Sequence, residues 1–167
     1  MFWKKTNSPA KEIAVKLYAT CVDRVKNPVI YQDYSINDEV LGRFEVLSLF
    51  LFMMLRRLKK DTSTQSAEIS QELVDLFVED MDHSLRNARL SEKGIDKNFK
   101  RFVEGFFGRL VAYDTALDNN SLEQAIYRNV YDGNNEYNDA SKKLGAYIKE
   151  QLNVLNSQND IQLLCFN

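Results

Sequence analysis

EVLGRFEVLSLFLFMMLRRLKK, residues 39–60, decides the fold. Its centre, VLSLFLFMML at 46–55, is ten apolar residues broken only by Ser48. A membrane-spanning helix needs roughly 20 consecutive apolar residues. A run half that long, with no polar face of its own, reads instead as a helix buried on most sides by other parts of the same protein. Asp38 stands where a helix N-cap belongs, and Arg56, Arg57, Lys59 and Lys60 cluster at the far end, where cations suit the negative end of the helix dipole.

Working outward, the rest of the chain supplies amphipathic helices to cover that core. Ser8-Pro9 is a start signal, an N-cap followed by proline in the first turn, for a helix over 8–26 with Ile13, Leu17, Cys21 and Val25 along one side. Asn27-Pro28 ends it, and 28–37 reads as irregular. Beyond the linker Asp61-Thr62-Ser63-Thr64, periodicity predicts a helix over 67–90. After a turn at 91–94, Asp96 caps another helix reaching about Asp118. Ser121 and Gln124 have capping-box spacing for a short helix that Gly133 stops, and a last helix runs over 137–155. The apolar tail 161–166 is expected to dock.

These elements give an all-α fold, a compact bundle of about six helices around a buried central helix. The domain reading is one unit over 1–167: an N-terminal helix at 8–26, a core at 31–133, and a C-terminal helix and tail at 136–167. Composition agrees, because 167 residues suit one domain and six Gly with two Pro favour long helices. A formal net charge of −2 argues against a general nucleic-acid binder. Cys21 and Cys165, far apart, form neither a disulfide framework nor a zinc motif, which suggests a reducing compartment. Met1-Phe2-Trp3-Lys4-Lys5 is too short for a signal-peptide core and reads as a frayed terminus, with a dip into a membrane surface as the alternative.

Unrolled at about 100° per residue, the helices show where polar groups break the pattern. In 67–90, Ile69, Leu73, Leu76, Phe77, Met81, Leu85 and Ala88 share a face. Opposite them lie Glu72, Asp75, Glu79, Asp82 and Arg86, a solvated stripe or a docking strip for a basic partner. Asp80 falls inside the apolar face, and Arg43 falls among Leu47, Phe50 and Met54. A buried carboxylate is costly unless paired, so Asp80 is expected to bond Arg43 or Arg109 inside the bundle. In 96–118, Phe99, Phe102, Phe106, Leu110, Tyr113 and Leu117 form one face, and Gly105, Gly108, Ala112 and Ala116 the other. Small residues allow close backbone approach, either of a neighbouring helix or of a helix from another protein.

Catalytic chemistry is poorly represented. The single histidine, His83, cannot complete a ferritin-like di-metal set. No phosphate loop, Cys-x-x-Cys or Ser–His–Asp ordering stands out. The expectation is a protein that is not an enzyme and uses no cofactor or metal. The cluster Arg56, Arg57, Lys59 and Lys60 gives a sharper option beside its dipole role, a weak salt-sensitive contact with anionic lipid or ribosomal RNA.

Four stretches taken together resemble the ubiquinol–cytochrome c chaperone family: GRFEVLSLFLFMMLRRL at 42–58, LFVEDMDHSLR at 76–86, FFGRLVAYDTAL at 106–117 and RNVYDG at 128–133. The resemblance covers about 31–133; the first helix and everything after Gly133 look divergent. It implies an all-helical assembly factor for the respiratory cytochrome bc complex, whose mitochondrial members bind newly made cytochrome b and sit on the ribosome near the nascent-chain exit. With no transit peptide evident, the chain looks like a bacterial member. The implied partners are cytochrome b or another respiratory-complex subunit, with the ribosome or an anionic membrane surface as further contacts. The implied location is cytoplasmic, peripheral at the inner membrane. Arg43, Asp80, Arg109 and Asp114 fall in the familiar stretches and are expected to form an internal polar network. Gly105, Gly108, Ala112 and Ala116 are the candidate client surface.

Overall fold

The computed structural model describes residues 7–88 and 90–167. The reading of the first five residues as a frayed or membrane-dipping terminus lies outside the described residues. Among the described residues seven α-helices follow one another: α1 (Pro9–Lys26), α2 (Pro28–Asp33), α3 (Val40–Lys59), α4 (Thr64–Asn87), α5 (Glu92–Asp118), α6 (Leu122–Val130) and α7 (Asn138–Ser157). Short 3-10 turns precede α7 and follow it. The all-helical expectation holds, with one helix more than expected.

α3 is the axis of the bundle. Thirteen of its 20 residues are buried, including every position from Phe44 to Met54. No polar side of the helix is left for solvent along that stretch, which is why the sequence there carries no amphipathic period. α1, α4, α5, α6 and α7 all touch it. α4 runs antiparallel to α3, since the Ser66 hydroxyl donates to the Leu58 carbonyl at one end while Phe77 meets Phe44 at the other. α5 runs parallel to α3, with Phe102 against Phe44 and Tyr113 against Phe52. Phe77 stacks on Phe106 at 4.1 Å between ring centroids, where α4 crosses α5.

Local signals explain the helix ends. Ser8, Ser63 and Ser91 cap α1, α4 and α5 by accepting backbone N–H groups of Lys11, Ser66 and Gly94. The last of these corrects the expected turn at 91–94, because Ser91 starts the helix and Gly94 lies in its first turn. Asn27 does two jobs. It ends α1 and its side chain caps α2, where Pro28 takes the first position, so the segment expected to be irregular opens with a helical turn and a half. Asp38 does not cap α3, and Ser121 makes no capping box, its hydroxyl turning back to the Ala116 carbonyl. Gly133, at φ +68, closes the α6 turn as expected.

The tail docks. Ile161, Leu164 and Phe166 are buried, and Phe166 meets the edge of Phe50 at 4.8 Å. Arg57 holds this end from α3, donating to the Leu155 and Gln158 carbonyls at 3.0 and 2.7 Å.

Candidate functional site

Arg43, Asp80, Arg109 and Asp114 do not form one network. Arg43 occupies the first turn of α3, before that helix enters the core. Its side chain is 60% exposed and donates to Asp38 at 2.7 Å. Asp80 faces α1 instead, accepting the Tyr18 hydroxyl at 2.7 Å. Being half-buried and bonded to a neutral donor, it needs no cation. Asp114 lies near the surface, where Arg56 and Lys59 reach it from α3. Of the four, only Arg109 belongs to a largely buried ion pair, half-buried itself, and its partner is the buried Glu45, which the helical wheels did not single out.

The Glu45–Arg109 pair spans the seam between α3 and α5. Arg109 Nε donates to Glu45 Oε2 at 2.6 Å, a second bond joins the other guanidinium nitrogen to the same carboxylate, and Arg109 also donates to the Gly105 carbonyl. Its guanidinium lies 5.0 Å from the centre of the Phe44 ring. Burial pushes the Glu45 carboxyl up, and the two bonds from Arg109 oppose that. Glu45 was detectable in principle. It sits at three- and four-residue spacing from Leu41, Ser48 and Leu49, inside the same apolar stretch as Arg43.

The small-residue face of α5 is divided. Gly105 is already covered, since a Cβ there would lie 3.1 Å from Arg109 and 3.7 Å from Phe44. Ala116 is buried and Ala112 half-buried. Only Gly108 stands in the open, with no neighbour within 4 Å of an added Cβ. The bland alternative, close packing within the bundle, accounts for Gly105 and Ala116.

The expected cationic cluster is likewise largely committed. Arg57 is buried on backbone carbonyls. Arg56 binds Asp114 and, at 2.9 Å, Asp118; Lys59 lies 3.3 Å from Asp114. Lys60 is exposed. Burial works to raise the Asp114 carboxyl, but hydrogen bonds from Arg56 and Lys59 outweigh it and hold it below the usual carboxylate range. The acidic stripe of α4 is partly answered within the chain too, because Lys11 of α1 lies 3.8 Å from both Glu72 and Glu79. His83 sits on the surface beside Asn87.

Open apolar surface occurs elsewhere on α5. Phe107 is 44% exposed and Val111 68% exposed, one turn apart. Val111 forms a wall of a groove of about 270 Å³ whose other lining includes Phe52, Leu55, Leu110 and Asp114. A second groove of about 530 Å³ lies between α3 and the start of α4, lined by Leu55, Leu58, Ala67, Ser70, Gln71 and Val74 among others. Leu55 and Lys59 line both. The two grooves therefore flank the same strip of the C-terminal half of α3, one on its α5 side and one on its α4 side.

Comparison with known proteins identifies the architecture. Residues 32–165 match the family described as ubiquinol-cytochrome C chaperone. The chain belongs to that family. A crystal structure, that of the Cbp3 homolog from Brucella abortus, superposes with a TM-score of 0.80 at 31% identity, over 95% of this chain and 91% of the other. Two similar proteins are ubiquinol-cytochrome c reductase complex assembly factors 1. The mouse protein is 22% identical over 156 residues, which are 92% of this chain and 52% of that protein. The Xenopus laevis protein is 23% identical over 158 residues, 92% of this chain and 78% of that protein. The chain thus spans about half the length of the mouse relative. The family match runs to Cys165 and so includes α7 and most of the tail, which lie beyond the resemblance visible at 31–133. Among the described residues no helix is long and apolar enough to cross a membrane.

Proposed function

We propose that this protein is an assembly chaperone for the ubiquinol–cytochrome c reductase complex, and that its client is cytochrome b. The observation that carries this reading is the family match over 134 of 167 residues, 32–165, together with relatives named for assembly of that complex. The chemistry of the surface supports it. A chaperone for a membrane-protein subunit must shield apolar helices from water before they reach lipid, and needs exposed apolar surface to do so. Phe107 and Val111 supply such surface on a helix that otherwise serves the core. The chain would act at the cytoplasmic face of the membrane that carries the complex.

The test is to delete the gene and follow the cytochrome bc complex by haem spectra and by immunoblot of cytochrome b. Loss of assembled complex, restored by the wild-type chain, is the expected result. A normal level of complex in the deletion strain would sink the proposal. Copurification of cytochrome b with the tagged chain separates that subunit from others of the complex as client.

A further inference from the structure

We infer that the solvent-facing stripe of α5 is a docking surface for a lipid bilayer with anionic headgroups, with its lysines on the headgroups and Phe107 and Val111 at the acyl boundary. The inference stands on the surface chemistry of this chain. It goes beyond the proposed function by assigning the face that meets the membrane.

The geometry of the helix comes first. At about 100° per residue, Lys93, Lys97, Lys100, Glu104, Phe107 and Val111 fall within about 80° of one another. All six are exposed, and they extend for about 27 Å along α5 at 1.5 Å per residue. The stripe is cationic towards its N-terminal end and apolar towards its C-terminal end. Glu92 and Asp96 lie off its flank, where their charges bear on Arg86 of α4.

Free charge selects this face over the cationic end of α3. There Arg57 is committed to backbone carbonyls, and Arg56 and Lys59 to Asp114. An anionic surface would have to displace that carboxylate. On α5, among the described residues, no carboxylate lies within ion-pair reach of Lys93, Lys97 or the neighbouring Arg101. Lys100 has Glu104 at 3.8 Å, a solvent-exposed pair of little strength. Phe107 and Val111 then decide which polyanion fits. An RNA backbone would leave both in water, whereas a bilayer takes up both while the lysine stems reach back to the headgroups.

A client held on Phe107 and Val111 would take these side chains from the lipid, so the test uses the purified full chain without client. Its outcome is therefore separate from that of the chaperone reading. Flotation with vesicles of phosphatidylcholine is compared with flotation on vesicles that also contain phosphatidylglycerol, across a salt series. The expected result is partition onto the anionic vesicles alone, weakening as salt rises. Each lysine near an anionic surface changes partition about fivefold, so Lys93→Gln, Lys97→Gln and Lys100→Gln together should lower it about a hundredfold. Val111→Ser should lower it about fivefold and leave the salt dependence as it was. Lys59→Gln with Lys60→Gln should leave partition nearly unchanged. The substituted side chains are all exposed, so the variants should keep the wild-type thermal midpoint. If the triple change lowers it, Lys97→Gln alone carries the comparison. No binding to anionic vesicles, or equal binding to both kinds, would overturn the inference. A loss from the Lys59 and Lys60 changes as large as that from the α5 lysines would overturn the assignment to α5. Polyuridine RNA that displaces the chain from vesicles, and binds Val111→Ser as well as wild type, would overturn lipid as the occupant.

Discussion

At the scale of single residues, Glu45 and Gly42 show what periodicity alone conceals. Glu45 is buried in the most apolar helix of the chain, and Arg109, 64 positions later, is what makes this tolerable. Glu45→Ala strands the guanidinium in a site whose side chain is only 20% exposed. Breaking a buried pair costs roughly 3–5 kcal/mol, and this partial exposure argues for the low end, about 3. The double change Glu45→Leu with Arg109→Met should recover most of that, because an apolar pair needs no desolvation of charge. Urea midpoints for Glu45→Ala, for Arg109→Met alone and for the double change check this; equal loss in all three would refute the pairing argument. Gly42 is required for space. A Cβ there would lie 1.8 Å from the Asn37 carbonyl oxygen, and that neighbour is backbone, which cannot step aside as a side chain can. Gly42→Ala should destabilise by about 2 kcal/mol, within the range of overpacking. Gly108→Ala, with nothing to collide with, should stabilise by about 0.5–1 kcal/mol through helix propensity. If both glycine variants move the urea midpoint in the same direction, the contrast is wrong.

At the scale of elements, long periods were legible and short signals were not. Leu73 and Phe77 are buried as the wheel of α4 requires, and Phe106 and Tyr113 as that of α5 requires. α2 was missed because six residues hold too little periodicity, and because Asn27-Pro28 reads equally well as a stop for α1 or a start for the next helix. The face of each polar break was legible too, but its partner was not. Asp80 belonged to Tyr18 of α1 and Arg109 to Glu45, contacts 62 and 64 residues apart that only the packing of helices decides. Asp114 joins two elements, drawing Arg56 and Lys59 of α3 towards α5. Its carboxyl is held below the usual range, so the folded state binds that proton less readily than the unfolded one. The stability it contributes is therefore present above the unfolded value of about 3.9 and is lost as the pH falls through the lower folded value. Its side chain is 32% exposed, which keeps the effect modest. Asp114→Asn should lower the urea midpoint at pH 7 and flatten its fall between pH 5 and pH 3. A fall as steep as that of wild type would show that the acid sensitivity resides elsewhere.

At the scale of the whole molecule, the burial of α3 determines how the bundle comes apart. One core joins residues from Ala10 of α1 to Phe166 of the tail, and five helices share α3 as a common surface. Removing any of them exposes part of a helix that has no polar face there to offer water, so partial unfolding carries a large apolar penalty. The tail takes part through Arg57, whose two bonds to carbonyls 98 and 101 positions away tie the end of α3 to the end of α7. Equilibrium unfolding is accordingly expected to be a single transition, with far-UV helicity and the near-UV tyrosine signal superimposing. The amides of α3 should exchange with solvent only through that global event, while α2 and the first turns of α5, which bury little, exchange through local opening. Arg57→Ala tests the tie. Hydrogen bonds to a charged group contribute about 1.5–3 kcal/mol each, so losing two should cost several kcal/mol if the end of α7 and the tail stay docked. If instead they come loose, hydrogen exchange in α7 and the tail would rise to the rate of local opening while α3 stays protected, and the global midpoint would move little. The shared-core argument requires the first outcome; the second would make α7 and the tail a separable layer, able to leave α3 without unfolding the rest.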